Sequence, residues 1–180
     1  MLILLVGNIG CGKTTAANIL VNKFNFVEYT FASPLKEFAL SIGFNKQDVY
    51  GTQEEKNMIN QNFGISGRQF MQRFGTDIIR ENSKHLFDGH VDNVWVRAME
   101  MRIKKSENKD IVVSDGRFLD EAKLIKDLGG IIVRLRRNNS SFASNHVSEM
   151  ELNNIIADVE YCNDGSMEDM KNFFRDLISK

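Results

Sequence analysis

Leu2-Ile3-Leu4-Leu5-Val6-Gly7-Asn8-Ile9-Gly10-Cys11-Gly12-Lys13-Thr14-Thr15 is the stretch that decides the fold. Its first five residues form a continuous apolar run. Such a run suits a strand buried on both faces of a parallel sheet. Gly7 to Thr14 then completes the pattern G-x-x-x-x-G-K-[ST]. Behind it Ala16, Ala17, Leu20 and Val21 can share one face of a helix. Strand, glycine turn and helix in that order make a phosphate-binding loop. Gly10 and Gly12 let the backbone wrap a polyphosphate, and the helix start adds a positive dipole end. Lys13 would reach the β- and γ-phosphates, the Thr14 hydroxyl would ligate Mg²⁺, and Thr15 lies in the same nucleotide-binding turn. Cys11 occupies an unrestricted position of the pattern, and no neighbouring cysteine is at hand to resolve an oxidised thiol.

The rest of the composition narrows the class. The chain has 180 residues, 42% hydrophobic, with 23 Lys+Arg against 24 Asp+Glu and a formal charge of −1. That length suits one domain, and the apolar fraction excludes a disordered chain. The charge balance argues against a dedicated nucleic-acid binder. No apolar run approaches the roughly 20 residues that span a bilayer. The N-terminus lacks a basic n-region and a small-residue cleavage site, so no secretory signal is read. Two cysteines, Cys11 and Cys162, are too few for a disulfide framework or a four-cysteine zinc site. The expectation is a cytoplasmic domain with no membrane partner.

Working outward from the turn, strand-like and helix-like segments alternate. Phe26 to Thr30 reads as a short second strand, and Ser33-Pro34 as a helix cap followed by proline. From Pro34 to about Lys105 the sequence is mostly helical, with breaks near Gly43, Gly51, Gly64 to Gly67, and Gly89. Asp110 to Ser114, Ile131 to Leu135 and Asp158 to Cys162 read as three further strands. A helix over about Phe118 to Leu128 and one capped by Ser166 through Ile178 lie between and after them. The expected fold is α/β, a P-loop NTPase fold: a five-stranded, mainly parallel sheet with helices on both faces. Its core comprises residues 1–31, 106–136 and 147–180, with a helical acceptor-binding insertion at about 32–105 and a short lid at about 137–146.

Asn45-Lys46-Gln47-Asp48 spells a guanine-reading pattern, yet it comes too early in the chain and no D-x-x-G precedes it. Asn45 and Asp48 are therefore read as turn and capping residues.

Four further segments carry a resemblance. They are Ser66-Gly67-Arg68-Gln69-Phe70-Met71-Gln72-Arg73-Phe74-Gly75-Thr76-Asp77, Ser114-Asp115-Gly116-Arg117, His146-Val147-Ser148-Glu149 and Cys162-Asn163-Asp164-Gly165-Ser166. With the glycine turn they follow, in order, the motifs of phage-type deoxynucleoside monophosphate kinases, a compact branch of the adenylate-kinase-like fold. The sequence resembles that family over nearly its whole length. It departs from longer members in a trimmed acceptor region, and it has Ser144 where some carry an aspartate.

What the resemblance implies is phosphorylation of deoxynucleoside monophosphates by direct in-line transfer from ATP, with Mg²⁺ as cofactor. Arg68 is then assigned to the acceptor phosphate, Arg117 to gripping the acceptor, Arg137 to lid entry, and Asp115 to Mg²⁺ through water. Ser33 and Lys36 match the segment that opens the acceptor region. Arg134 belongs with the nucleotide, and Asn163 and Gly165 would shape the adenine pocket. Residue chemistry agrees. A monophosphate acceptor is largely ionised at neutral pH, its second pKa lying near 6, so no general base is required. Cations around two anions are required, and arginine pairs bidentately with phosphate.

Several alternatives remain open at this level. Arg73 has no family counterpart, and Arg136 could be a surface charge. His146 and Glu149 could be catalytic or structural in the lid. Trp95 could stack on a base, but its spacing with Val91, Val94 and Ala98 favours helix core. A kinase for a small-molecule hydroxyl, with Asp115 as base, is the chemical rival. A nucleotide-gated switch protein is a second. Base choice, ribose preference and oligomeric state, a homodimer among the options, are not encoded in these patterns.

Overall fold

The computed structural model describes residues 1–137 and 151–179. The chain divides into two compact units, Met1–Phe31 with Glu100–Lys180, and Ala32–Met99.

The first unit is built on five strands: β1 (Leu2–Val6), β2 (Val27–Tyr29), β5 (Ile111–Gly116), β6 (Ile131–Arg136) and β7 (Val159–Cys162). Their order is β2-β5-β1-β6-β7, and every pairing is parallel. β1 is the central strand, with Ile3 opposite Val112 on one side and Ile131 on the other. That position explains its unbroken apolar sequence, because a central strand covered on both faces has no solvent side. Ile3 and Leu5 face a core that includes Ala16, Ala17 and Leu20 of α1 (Lys13–Phe24). The same core includes Met170 and Phe174 of the C-terminal helix Met167–Ile178. Helix Leu119–Asp127 packs on β1 and β6.

The expected strands and helices of this unit are present with small shifts in their ends. The second strand is shorter than read, and the third runs on to Gly116. Between β1 and β5 the pairing passes from Leu4–Val113 to Val6–Gly116, so β5 carries one extra residue at Ser114–Asp115. Such bulges re-aim the side chains beside them. Ser166 caps the C-terminal helix as expected, its hydroxyl accepting from the Asp169 amide at 3.2 Å.

The second unit holds α2 (Ser33–Ser41), α3 (Lys46–Tyr50), α4 (Gln53–Asn57), α5 (Gly67–Gln72) and α6 (Glu81–Leu86). Helix α7 (Val94–Lys105) begins in it and continues past Met99. Ala32 rather than Ser33 is the cap residue of α2, and Ser33 is already helical. Two features depart from the helical reading. Ile59–Asn60 (β3) and Ile65–Ser66 (β4) form a small antiparallel hairpin. Arg73–Arg80 winds as a π-helix directly after α5. The indole N–H of Trp95 donates to the carbonyl of Gly75 in that segment at 2.8 Å, and Trp95 is half-buried. A run of rings passes through the unit from exposed Phe38 to exposed Phe63, with Phe44 buried: Phe38 on Phe74 (4.9 Å), Phe74 on Phe70 (5.3 Å), Phe70 by Phe44 (4.8 Å) and Phe44 on Phe63 (4.4 Å).

Asn45 and Asp48 are structural, as read. Asp48 is buried, and its carboxylate accepts from the Asn45 amide and from the side-chain amide of Asn60, both at 2.7 Å. This joins α3 to the hairpin.

Candidate nucleotide and acceptor sites

In the first unit the turn after β1 has the backbone that a phosphate cradle needs. Gly7, Gly10 and Gly12 adopt φ of 145°, 82° and 104°. A Cβ at Gly7 would lie 2.3 Å from the Leu135 carbonyl oxygen, and Gly12 is constrained as well. Its φ is left-handed, and a Cβ there would lie 2.3 Å from the Asn163 side-chain nitrogen. The first helical bond of α1 runs from the Ala16 amide to the Gly12 carbonyl at 2.9 Å. The amides of Thr14 and Thr15 therefore precede the ladder at the positive end of the helix dipole. The Thr14 side chain is exposed, and Thr15 is half-buried. The Lys13 ammonium donates to the carbonyls of Gly7 and Asn8, folding back over the turn.

Cys11 corrects the sequence reading. It is fully buried within the core formed by β1, α1 and the C-terminal helix, so packing restricts this position. A second brace comes from the loop after β7, where the Asn163 side-chain amide donates to the Cys11 carbonyl at 3.0 Å. Asn163 thus stands against the glycine turn. Gly165 lies in the exposed turn leading to the Ser166 cap, against Asp169.

Asp115 is placed by the β5 bulge at the C-terminal end of its strand, the edge where ligands bind open α/β sheets. One carboxylate oxygen accepts from the Phe31 amide at 2.8 Å, tying Asp115 to the end of β2. The start of the following helix is capped by buried Glu121, which accepts from the amides of Arg117 and Phe118 at 2.8 and 3.2 Å. The Arg117 backbone is fixed in this way, and its side chain is half-buried.

Arg134 lies in register with Val6, directly before the glycine turn. Its guanidinium nevertheless donates to the carbonyls of Leu152 and Ile155 and lies 3.5 Å from Glu160. Burial lowers its pKa, Glu160 opposes that shift, and Arg136 adds to it. Carbonyl anchoring was not foreseen for Arg134, because its partners lie 18 and 21 residues away in sequence. Arg136 is exposed and donates to Glu160 at 2.8 Å, in keeping with a surface charge. Arg137 is exposed. His146, Ser144 and Glu149, with the expected lid beyond Arg137, lie outside the described residues.

In the second unit, Ser33 and Lys36 belong to the first turns of α2, and Lys36 sits 4.6 Å over the Tyr50 ring. Arg68 is the second residue of α5 and donates to the Gln53 side chain. Ser66 caps that helix, accepting from the Gln69 amide at 3.2 Å. Among the described residues no group of three or more His, Cys, Asp or Glu side chains forms a metal cluster, and no helix is long and apolar enough to cross a membrane.

The family model described as deoxynucleotide monophosphate kinase matches residues 41–173. A protein of Acanthamoeba polyphaga mimivirus assigned as a deoxynucleotide monophosphate kinase is 34% identical, over 99% of this chain and 95% of its own. The deoxynucleotide monophosphate kinase of Escherichia phage RB69 is 28% identical over 65% of this chain and 46% of its own. Among solved structures, shikimate kinase from Aquifex aeolicus has a TM-score of 0.57 at 14% identity, covering 99% of this chain and 96% of that one. Dephospho-CoA kinase from Campylobacter jejuni has a TM-score of 0.52 at 15% identity, over 99% and 95%. At such identity these two speak for the fold alone.

Proposed function

The chain belongs to the deoxynucleotide monophosphate kinase family, and we propose that it transfers the terminal phosphoryl group of ATP in line to the phosphate of a deoxynucleoside monophosphate, releasing ADP and a diphosphate. The observation that carries this reading is the family match across residues 41–173, joined to a complete glycine turn ahead of it. Phosphoryl transfer passes through a loose transition state, so positioning and charge neutralisation supply most of the rate.

The residues divide that task. Gly10, Gly12, Thr14 and Thr15 present backbone amides to the donor phosphates, and Lys13 leaves its carbonyl partners to meet them. Asn163 holds the turn in shape, and Gly165 lies beside the adenine. Arg134 serves the nucleotide by anchoring the chain next to β6. Ser33, Lys36 and Arg68 of the Ala32–Met99 unit take the acceptor, making that unit the acceptor-binding insertion. Arg117 and Arg137 bring positive charge to the transferring group.

Mg²⁺ suits the donor set. The Thr14 hydroxyl and the Asp115 carboxylate are hard oxygen donors of the kind this ion prefers, and Thr14 is exposed at the helix start. When bound, the ion would neutralise charge on the donor's phosphates. An acceptor phosphate already ionised near pH 7 needs no proton removed, so Asp115 is not required as a base and would instead help hold the ion.

The test is the purified chain with ATP–Mg²⁺ and a panel of ribo- and deoxyribonucleoside monophosphates, following diphosphate formation. At least one deoxynucleoside monophosphate is expected to be converted, and Lys13→Ala is expected to remove activity with every acceptor. Phosphorylation of none of them, with ATP hydrolysis alone, overturns the reading.

A further inference from the structure

Resting on that acceptor assignment, we infer that Tyr50 and Gln53 are positioning residues that hold Lys36 and Arg68 ready for the acceptor's phosphate. Both cations end on one short turn. The Lys36 ammonium lies 4.6 Å from the centre of the Tyr50 ring, and the Arg68 guanidinium donates to the Gln53 side-chain oxygen. Lys36 comes from α2 and Arg68 from α5, while Tyr50 ends α3 and Gln53 begins α4. Two independent contacts thus converge on residues 50–53.

The turn between them is built rather than loose. A Cβ at Gly51 would lie 2.5 Å from the Gln47 carbonyl oxygen and 2.5 Å from a Glu55 carboxylate oxygen, so only glycine lets α3 and α4 follow so closely. Thr52 and Glu55 then cap α4 reciprocally. The Thr52 amide donates to the Glu55 carboxylate at 2.6 Å, and the Glu55 amide donates to the Thr52 hydroxyl at 3.2 Å. Yet Tyr50 is 52% exposed, although a large aromatic ring ordinarily gains by burial. Gln53 is exposed as well.

A ring face and an amide oxygen attract a cation without cancelling its charge, so neither of these two contacts weakens the pull of Lys36 or Arg68 on an anion. A carboxylate at either place would neutralise the cation and compete with the incoming phosphate. Holding two flexible cationic side chains in advance lowers the ordering cost when substrate arrives. The effect falls on acceptor binding rather than on donor binding.

The experiment is steady-state kinetics on the full chain, varying the deoxynucleoside monophosphate at saturating ATP–Mg²⁺ and then the reverse. Tyr50→Leu and Gln53→Ala are each expected to raise the acceptor KM roughly two- to fivefold, with kcat and the KM for ATP little changed. Tyr50→Phe keeps the ring face and is expected to recover most of the loss. Gln53→Glu is expected to raise the acceptor KM further than Gln53→Ala. An unchanged acceptor KM in Tyr50→Leu and Gln53→Ala, or an equal rise in both KM values, overturns the inference. Lys36→Ala and Arg68→Ala separate the two levels of failure. If they raise the acceptor KM while the Tyr50 and Gln53 variants do not, this inference alone falls. If neither of them does, the acceptor assignment falls with it.

Discussion

The side-chain amide of Asn163 donates to the carbonyl of Cys11 at 3.0 Å, so the loop after β7 braces the glycine turn from 152 positions further along the chain. The contact makes the glycine turn a joint product of both ends of the first unit. Removing the amide while leaving the fold intact is expected to loosen the turn. Asn163→Ala should weaken ATP binding several-fold, on the order of one hydrogen bond. Gly12→Ala should be more severe, since it combines a left-handed φ with a 2.3 Å approach to Asn163. Equilibrium ATP titration checks both, and wild-type affinity in Gly12→Ala refutes the brace.

Asp115 distinguishes a phosphate acceptor from a hydroxyl one. Asp115→Asn keeps a side-chain oxygen able to accept from the Phe31 amide but removes the negative charge that Mg²⁺ would meet. The expected result is a higher Mg²⁺ requirement with substantial kcat left at saturating metal. Complete loss of transfer at every Mg²⁺ concentration would point to a base and a different acceptor chemistry.

Arg134 is expected to matter more for stability than its strand position implies. Arg134→Ala leaves the carbonyls of Leu152 and Ile155 without their buried donor. The cost should be about 1.5–3 kcal/mol, the range for hydrogen bonds made by a charged group. Denaturant unfolding measures it. Arg134→Lys should restore only part, because a single ammonium lacks the planar spread of donors.

Asp158 gives a pH dependence with a defined sign. Burial raises its pKa, but the Lys126 ammonium and the Ile132 amide, at 2.7 and 2.8 Å, outweigh this and leave it lowered. A carboxylate with a lowered folded pKa contributes stability above its unfolded value, about 3.9. That contribution disappears as pH falls from there through the folded value. Thermal unfolding of Asp158→Asn should therefore show a flatter acid limb below about pH 4 than wild type. Parallel limbs in the two proteins would remove Asp158 from the account.

The sheet was legible because its evidence is contiguous. β1, the glycine turn and α1 sit in one run, and β5 and β6, which flank β1, are largely apolar segments whose burial follows from their inner places. The second unit was read less well. A hairpin of two residues per strand has no periodicity to detect, and the π-wound Arg73–Arg80 follows α5 without a break, so the two read as one helix. Of the candidate site, the proposals at Lys13, Thr14 and Gly12 rest on spacing alone, and those at Arg68 and Asp115 on family motifs. The ties of Asn163 to Cys11, Arg134 to Ile155 and Lys36 to Tyr50 could not, since each depends on packing between distant segments. Cys11 shows the reverse limit: a position free in the motif is closed by the core behind it.

Trp95 is the chain's single tryptophan, and its indole is hydrogen-bonded inside the Ala32–Met99 unit. Red-edge excitation of this protein therefore lights one chromophore, lodged beside the π-wound turn and remote in sequence from the glycine loop. Melting of that unit can be timed optically, apart from the sheet, with no label attached. Should the two halves lose structure at different temperatures, emission and far-ultraviolet dichroism will separate into two curves.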